Sequence, residues 1–165
     1  MEKLRKDRHY ALVDAALEKV AVDPAARRMR VGKAVMRATE SDLARVSGED
    51  FAAIRVALGE GISAVGSCAE WIVERFGNDI KAAHAGAVPF LKLMGIVCGG
   101  WQMARAALVA QRKLDAGEGD AAFLRAKIAT ARFFGDHVLS QARGLAHAAM
   151  DGSAGVLALE EAAFG

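Results

Sequence analysis

Hydrophobic positions recur at helical spacing along most of this chain. Between Asp50 and Phe76 they fall at Phe51, Ile54, Leu58, Ile62, Val65, Ala69, Ile72 and Phe76. Steps of three and four residues put all of them on one helical face, the core-facing stripe of a bundle helix. From Pro89 to Ala116 the pattern repeats with Phe90, Met94, Val97, Trp101, Ala104 and Leu108. A third run carries Leu124, Ile128, Ala131, Gly135, Val138, Ala142, Leu145 and Ala149, ending near Asp151-Gly152. Only Ala116-Gly117-Glu118-Gly119-Asp120 separates the last two runs. So short a turn predicts antiparallel neighbours, with Asp120 as the N-cap of the second.

The first part of the chain is patterned more weakly. Residues 2–20 predict a helix with Tyr10, Val13, Leu17 and Val20 on one face. Asp23-Pro24 then supplies an N-cap residue and a proline suited to a first helical turn. The helix it starts is expected to reach Val46, with Val35, Thr39, Leu43 and Val46 as its stripe. Ser47-Gly48-Glu49-Asp50 is the next break. Gly77-Asn78-Asp79 reads as a C-terminal stop with Gly77 at positive φ. Residues 78–86 read as a connection with a helical turn in it, and Pro89 belongs to the first turn of the helix that follows. Ser153–Phe164 either docks on the bundle through Val156, Leu157, Leu159 and Phe164 or frays as a tail. The expected fold is all-α: an up-and-down helical bundle of four to five long helices with short connections, forming one domain over residues 1–165.

Glycines interrupt two of these helices. Gly59, Gly61 and Gly66 each weaken a helix by up to about 1 kcal/mol relative to alanine, so their expected use is close approach by a neighbouring helix. Gly95, Gly99 and Gly100 form a second small-residue patch. Such spacing in an apolar run also marks membrane dimers. Here Lys92 and Arg105 bound an uncharged run far shorter than the roughly 20 residues of a span. A close crossing, inside the bundle or between two copies, is expected instead, and no membrane partner.

Composition narrows the class without naming a chemistry. The chain has 165 residues, 53% hydrophobic but only 6% aromatic, and two prolines, which favours helices over a sandwich or barrel. A formal charge of +2 defines no partner class. Arg27, Arg28, Arg30, Lys33 and Arg37 do form a basic stripe. No aromatic residue is interleaved with them to stack on bases, so the stripe reads as a solvated face or one that meets an acidic surface, and no nucleic acid is expected. Cys68 and Cys98 lie in apolar runs without metal-ligand or redox spacing, and are expected buried and reduced. The charged opening MEKLRKDRHY is followed by no apolar signal core, from which a cytoplasmic location is expected.

Candidate catalytic groups are equally thin. His9, His84, His137 and His147 share no spacing that would bring two of them to one metal, and no Glu-x-x-His pair occurs. Neighbours Asp136 and His137 point to different faces of a helix. Neither a nucleophile elbow nor a phosphate-binding loop is present. No catalytic, cofactor-binding or metal-ligating residue is assigned.

Two blocks, AVPFLKLMGIVCGGWQMARAAL and KLDAGEGDAAFLRAKIATARFF, joined through the Gly-Glu-Gly-Asp turn, give the chain a family likeness. With a Leu-rich tail ending in Phe164, they resemble the C-terminal domain of a branch of bacterial acyl-CoA dehydrogenases, long flavoenzymes similar to 3-methylmercaptopropionyl-CoA dehydrogenase. Residues 86–164 carry the likeness. Residues 1–85 match more loosely, as linking helices. The resemblance implies a parent enzyme whose FAD surfaces, acyl-CoA pocket and proton-abstracting glutamate lie upstream. None of Glu49, Glu60, Glu70, Glu74, Glu118, Glu160 and Glu161 falls in a motif that could inherit that glutamate's role. The expected function is therefore a non-catalytic accessory or oligomerisation domain, with no cofactor of its own and FAD in the parent. Its partner is the acyl-CoA dehydrogenase core or another copy of itself. The alternative is a free-standing adaptor that homodimerises through the small-residue helix face.

Overall fold

The computed structural model describes the backbone of residues 24–158 and the side chains of residues 32–158. The predicted helix over 2–20 and the end of the tail, Leu159 to Phe164, lie outside the described residues. Within them the fold is all-α. Helix α1 is Pro24–Leu43, α2 Glu49–Asn78, α3 Ile80–Ala85, α4 Ala87–Asp115 and α5 Ala121–His137. A 3₁₀ turn, Leu139–Gln141, leads to α6, Ala142–Asp151, and the last helix among the described residues is α7, Ser153–Val156.

Contacts between named residues set the topology. Lys33 and Glu40 of α1 lie against Gly66 and Gly59 of α2, in reverse order, so these helices are antiparallel. Gly61 of α2 meets Val97 near the middle of α4. Arg132 and Arg143 reach Asp50 and Glu60 in the same order along the chain, so α5–α6 runs parallel to α2. The result is the expected up-and-down bundle, with α5 and α6 together forming the fourth strut.

The core explains the elements. Leu43, Ile54, Leu58, Ile62, Leu93 and Val97 are fully buried, and burial stabilises such side chains by about 1.5–3 kcal/mol each. Ala104, Ala107, Ala110, Ala131, Ala142 and Ala149 complete the interior. The α5 N-terminus is capped as predicted: Asp120 accepts from the backbone N–H groups of Ala122 at 2.8 Å and Phe123 at 3.3 Å. Gly117 and Gly119 take positive φ in the turn before it.

Several expectations are corrected. The third predicted run is not one helix, because α5 stops at His137 and the 3₁₀ turn follows. The tighter turn brings Leu139 inward, 3% exposed, where the periodicity placed Val138. The innermost face of α4 is Leu93, Val97, Gly100, Ala104 and Ala107, while Phe90, Met94, Trp101 and Leu108 sit half-buried at its flanks. Phe76, assigned to the α2 stripe, is exposed, since the stripe continues past the helices that would cover it. Gly77 is helical without positive φ, and α2 runs on to Asn78. Asp79 then both ends α2 and caps α3, accepting from Ala82 N–H at 3.1 Å.

The glycines act as notches within the bundle. A Cβ on Gly100 would stand 2.6 Å from Leu139 Cδ1, and one on Gly61 would stand 2.9 Å from Val97 Cγ2. A Cβ on Gly99 would stand 3.0 Å from the tip of the Phe134 ring. The small-residue face of α4 is thus filled from within by Phe134 and Leu139, and only Gly95 opens outward. Gly100 is buried in this way and Gly99 half-buried. By length and mean hydropathy α2 and α4 are each long and apolar enough to cross a bilayer, which the short uncharged run between Lys92 and Arg105 did not suggest. In this fold their innermost faces are taken up by each other and by α5 and α6.

Candidate functional site

Two grooves and one apolar end are the features of the described surface that bear on function. The first groove, ≈660 Å³, lies between α1, α2 and α6. Its floor is small: Gly59, Ser63, Ala64, Ser67 and Ala146. Its rim is a set of closed ion pairs. Arg37 pairs with Glu40 and also donates to Ser63 Oγ at 2.9 Å. Arg143 pairs with Glu60 at 2.7 Å, and His147 meets Asp151 at 2.9 Å. Arg37 and Arg143 are each offset by the carboxylate they pair with, so the groove offers no unpaired guanidinium to an anionic ligand.

The second groove, ≈690 Å³, is at the opposite end, between the start of α2, the end of α4 and α5. Glu49, Asp50 and Asp115 make it acidic, with Arg125 opposite. Beside it Arg132 ties α5 to α2, bonding Asp136 at 2.7 Å and Asp50 at 3.3 Å. The hydrogen bond to Asp136 holds the Arg132 guanidinium above its already high ordinary range, with the Asp136, Asp50 and Glu49 charges adding.

The predicted candidates are scattered rather than gathered. His84 lies edge-on to Phe76, and His137 stacks on Phe133 with centroids 4.5 Å apart. Asp136 turns to Arg132 and away from His137. His9, Glu160 and Glu161 lie outside the described residues, as do the side chains of Arg27, Arg28 and Arg30. Of the basic stripe, Lys33 and Arg37 both lie over α2. Glu70, Glu74 and Glu118 are exposed. Among the described residues no three His, Cys, Asp or Glu side chains converge as a metal requires. Cys68 is buried, its thiol 3.8 Å from the Ala146 carbonyl, while Cys98 is half-buried. Sequence reading missed the Arg143–Glu60 pair, whose partners are 83 positions apart. The His147–Asp151 pair was open to it through its four-residue spacing.

The residues lining the grooves do not fit a flavin. Both grooves are open to solvent, one rimmed by closed ion pairs and the other lined by three carboxylates that would repel a pyrophosphate. The deeper notches at Gly61, Gly99 and Gly100 are occupied by side chains of the chain itself.

With geometry offering a packed scaffold, the comparisons with known proteins become decisive. A family model described as acetyl-CoA dehydrogenase C-terminal like matches residues 28–160. This chain belongs to that family. Family membership accounts for α1 through α7, since the match runs the length of the described bundle. Among curated proteins, 3-methylmercaptopropionyl-CoA dehydrogenase of Ruegeria pomeroyi (strain DSS-3) is 41% identical over 105 residues. The aligned region is 64% of this chain and 18% of that relative. The chain therefore spans less than a fifth of the length of that relative, and the likeness is to a domain of it.

Proposed function

We propose that this chain is a non-catalytic helical domain that packs against an acyl-CoA dehydrogenase core, in the cytoplasm, as one folded unit. The parent's chemistry, FAD-dependent oxidation of an acyl-CoA, belongs to that core. The observation that carries the reading is the family match over residues 28–160 joined to the small share of the relative that it covers. The described grooves support it, since neither gathers polar groups around an apolar pocket of the kind substrates occupy.

The test has two arms. The purified chain is expected to show no flavin absorbance and no oxidation of acyl-CoA thioesters with an artificial electron acceptor. Sedimentation of the chain with an acyl-CoA dehydrogenase core lacking its own copy of this domain is expected to give a complex. Stoichiometric yellow colour would overturn the non-catalytic reading, and failure to form a complex would overturn the docking partner.

A further inference from the structure

At one end of the bundle Val73, Phe76, Ile80, Val88 and Leu91 are exposed. From Val88 and Leu91 the apolar surface continues along α4. The inner face of this helix is Leu93, Val97, Gly100, Ala104 and Ala107. Helical geometry puts Leu91, Gly95, Gln102 and Val109 on the opposite side, and all four are exposed. Gly95 makes the middle of that side low, since even a Cβ there would meet nothing within 4 Å. Leu91 rises one turn before it and Gln102 two turns after it, leaving a shallow saddle between them.

Helix α5 extends this face. Phe134 covers Gly99 at the edge of α4, and Phe123, Lys127 and Thr130 lie on the same side of α5 as Phe134, at steps of four, three and four. Equal steps from the Phe134–Gly99 contact along these antiparallel helices bring Phe123 level with Ala110, beside Val109. Phe123 is exposed, with Lys127 Nζ 5.0 Å from the centre of its ring.

The charges of the face have one sign. From Ala87 to Leu114 α4 carries Lys92, Arg105, Arg112 and Lys113 and no Asp or Glu, and from Ala121 to Gly135 α5 has no Asp or Glu either. Among the described residues the carboxylates that form ion pairs do so with Arg37, Arg45, Arg132, Arg143 and His147. None of those pairs takes up Lys92, Arg105, Lys113 or Lys127. Helix α2, by contrast, exposes Glu60, Glu70 and Glu74.

These features discriminate between occupants. A second copy presenting the same face would set cation against cation. A membrane surface is entered by protruding aromatic and aliphatic side chains, whereas the middle of this face is a glycine saddle. A helix suits it: a ridge of side chains enters where Gly95 lowers the surface, and carboxylates beside that ridge meet Lys92 on one flank and Arg105 on the other.

We infer that the outward face of α4, with Phe123 and Lys127 of α5, is where this chain docks on the acyl-CoA dehydrogenase core, through a core helix that presents apolar and acidic side chains. The inference rests on the docking proposed above and adds which face makes it.

The test repeats the sedimentation of the full chain with the core, now with variants. Lys92→Glu combined with Arg105→Glu is expected to weaken the complex by about tenfold and to reduce its salt dependence. Arg55→Glu, on the exposed side of α2, is expected to leave it unchanged. Gly95→Trp fills the saddle and is expected to abolish the complex while keeping the helical content of the parent, because the site is open. If the parent chain forms the complex and the α4 variants bind equally well, the docking reading stands and this face is overturned. If the parent chain forms no complex, both fall. A dimer of the chain alone that Gly95→Trp dissociates would assign the face to a second copy. Flotation with vesicles of phosphatidylglycerol and phosphatidylcholine, lost on Lys92→Glu with Arg105→Glu, would assign it to a membrane. Either result would overturn the inference.

Discussion

Leu139 occupies the space in which a side chain on Gly100 would begin. An added Cβ would lie 2.6 Å from Leu139 Cδ1 and 2.8 Å from both its Cγ and its Cδ2, so a swing of one methyl group gives no relief. The whole Leu139 side chain, and the 3₁₀ turn holding it between α5 and α6, would have to retreat. Gly100→Ala is therefore expected to destabilise the bundle by about 1–3 kcal/mol through overpacking, read as a lower denaturant midpoint. A variant as stable as the parent would mean that the notch is not formed as described.

Gly95 provides the contrast on the same helix. An added Cβ there meets nothing within 4 Å, and the residue is exposed in the interior of α4. Gly95→Ala removes backbone freedom from the unfolded chain without a clash, so it should stabilise by about 0.4–1 kcal/mol. Gly99→Leu falls on the costly side, because Phe134 Cζ would stand 3.0 Å from the first added carbon. Measured midpoints in the order Gly95→Ala, parent, Gly99→Leu are expected, and a reversal would contradict the assignment of faces on α4.

These glycines also mark how far the sequence could be read. The α2 stripe was visible because Phe51, Ile54, Leu58 and Ile62 are large, and large side chains at helical spacing announce a core. On α4 the same rule found Val97 and Ala104 of the inner face but set Phe90, Met94, Trp101 and Leu108 beside them, and it passed over Leu93, Gly100 and Ala107. Close approach of helices is a property of pairs, so the Gly100 notch has no meaning until Leu139 is placed in it. Spacing of three or four could not choose between Val138 and Leu139, and the choice is made by that notch. Periodicity also cannot tell where partners end, which is why Phe76 was assigned to the core. As for a site, the sequence offered no convergent set of reactive groups. Arg37–Glu40 is a three-residue pair within α1 and could have been anticipated, whereas Arg143–Glu60 becomes a pair only through the packing of α6 on α2.

Thr39 links α1 to α4. Its hydroxyl accepts from Trp101 Nε1 at 2.8 Å and donates to the Val35 carbonyl at 3.4 Å, and the residue is buried. Thr39→Val keeps the shape but leaves the indole N–H without its protein partner. Because Trp101 is half-buried, water can partly replace the bond, and a loss of about 1 kcal/mol is expected. The Trp101 fluorescence should shift with it, since the indole exchanges a fixed acceptor for solvent. Unchanged emission and stability would sink the proposed link.

Asp120 satisfies two backbone N–H groups at the start of α5, groups that otherwise have no partner within the helix. Asp120→Ala should cost about 0.5–2 kcal/mol, whereas Asp120→Asn should cost much less because its amide oxygen still accepts. The two variants share the loss of charge, so they separate capping from the helix dipole. Equal losses for both would assign the effect to charge.

Cys68 gives the fold an alkaline dependence with a defined sign. Burial pushes its thiol above the ordinary range, and the charge of Asp151 adds to the shift. A raised value in the folded state means the native protein holds this proton when the unfolded chain has begun to release it. The contribution is intact below the ordinary thiol range and is lost as pH rises through the raised value. Denaturant midpoints of the parent are therefore expected to fall more steeply at alkaline pH than those of Cys68→Ala, which lacks the group while sharing every other titration. Iodoacetamide should reach half-buried Cys98 first and Cys68 only on opening of the bundle. Parallel pH profiles for parent and variant, or prompt alkylation of Cys68 in the native protein, would show that the thiol is not held between α2 and α6 as the structure places it.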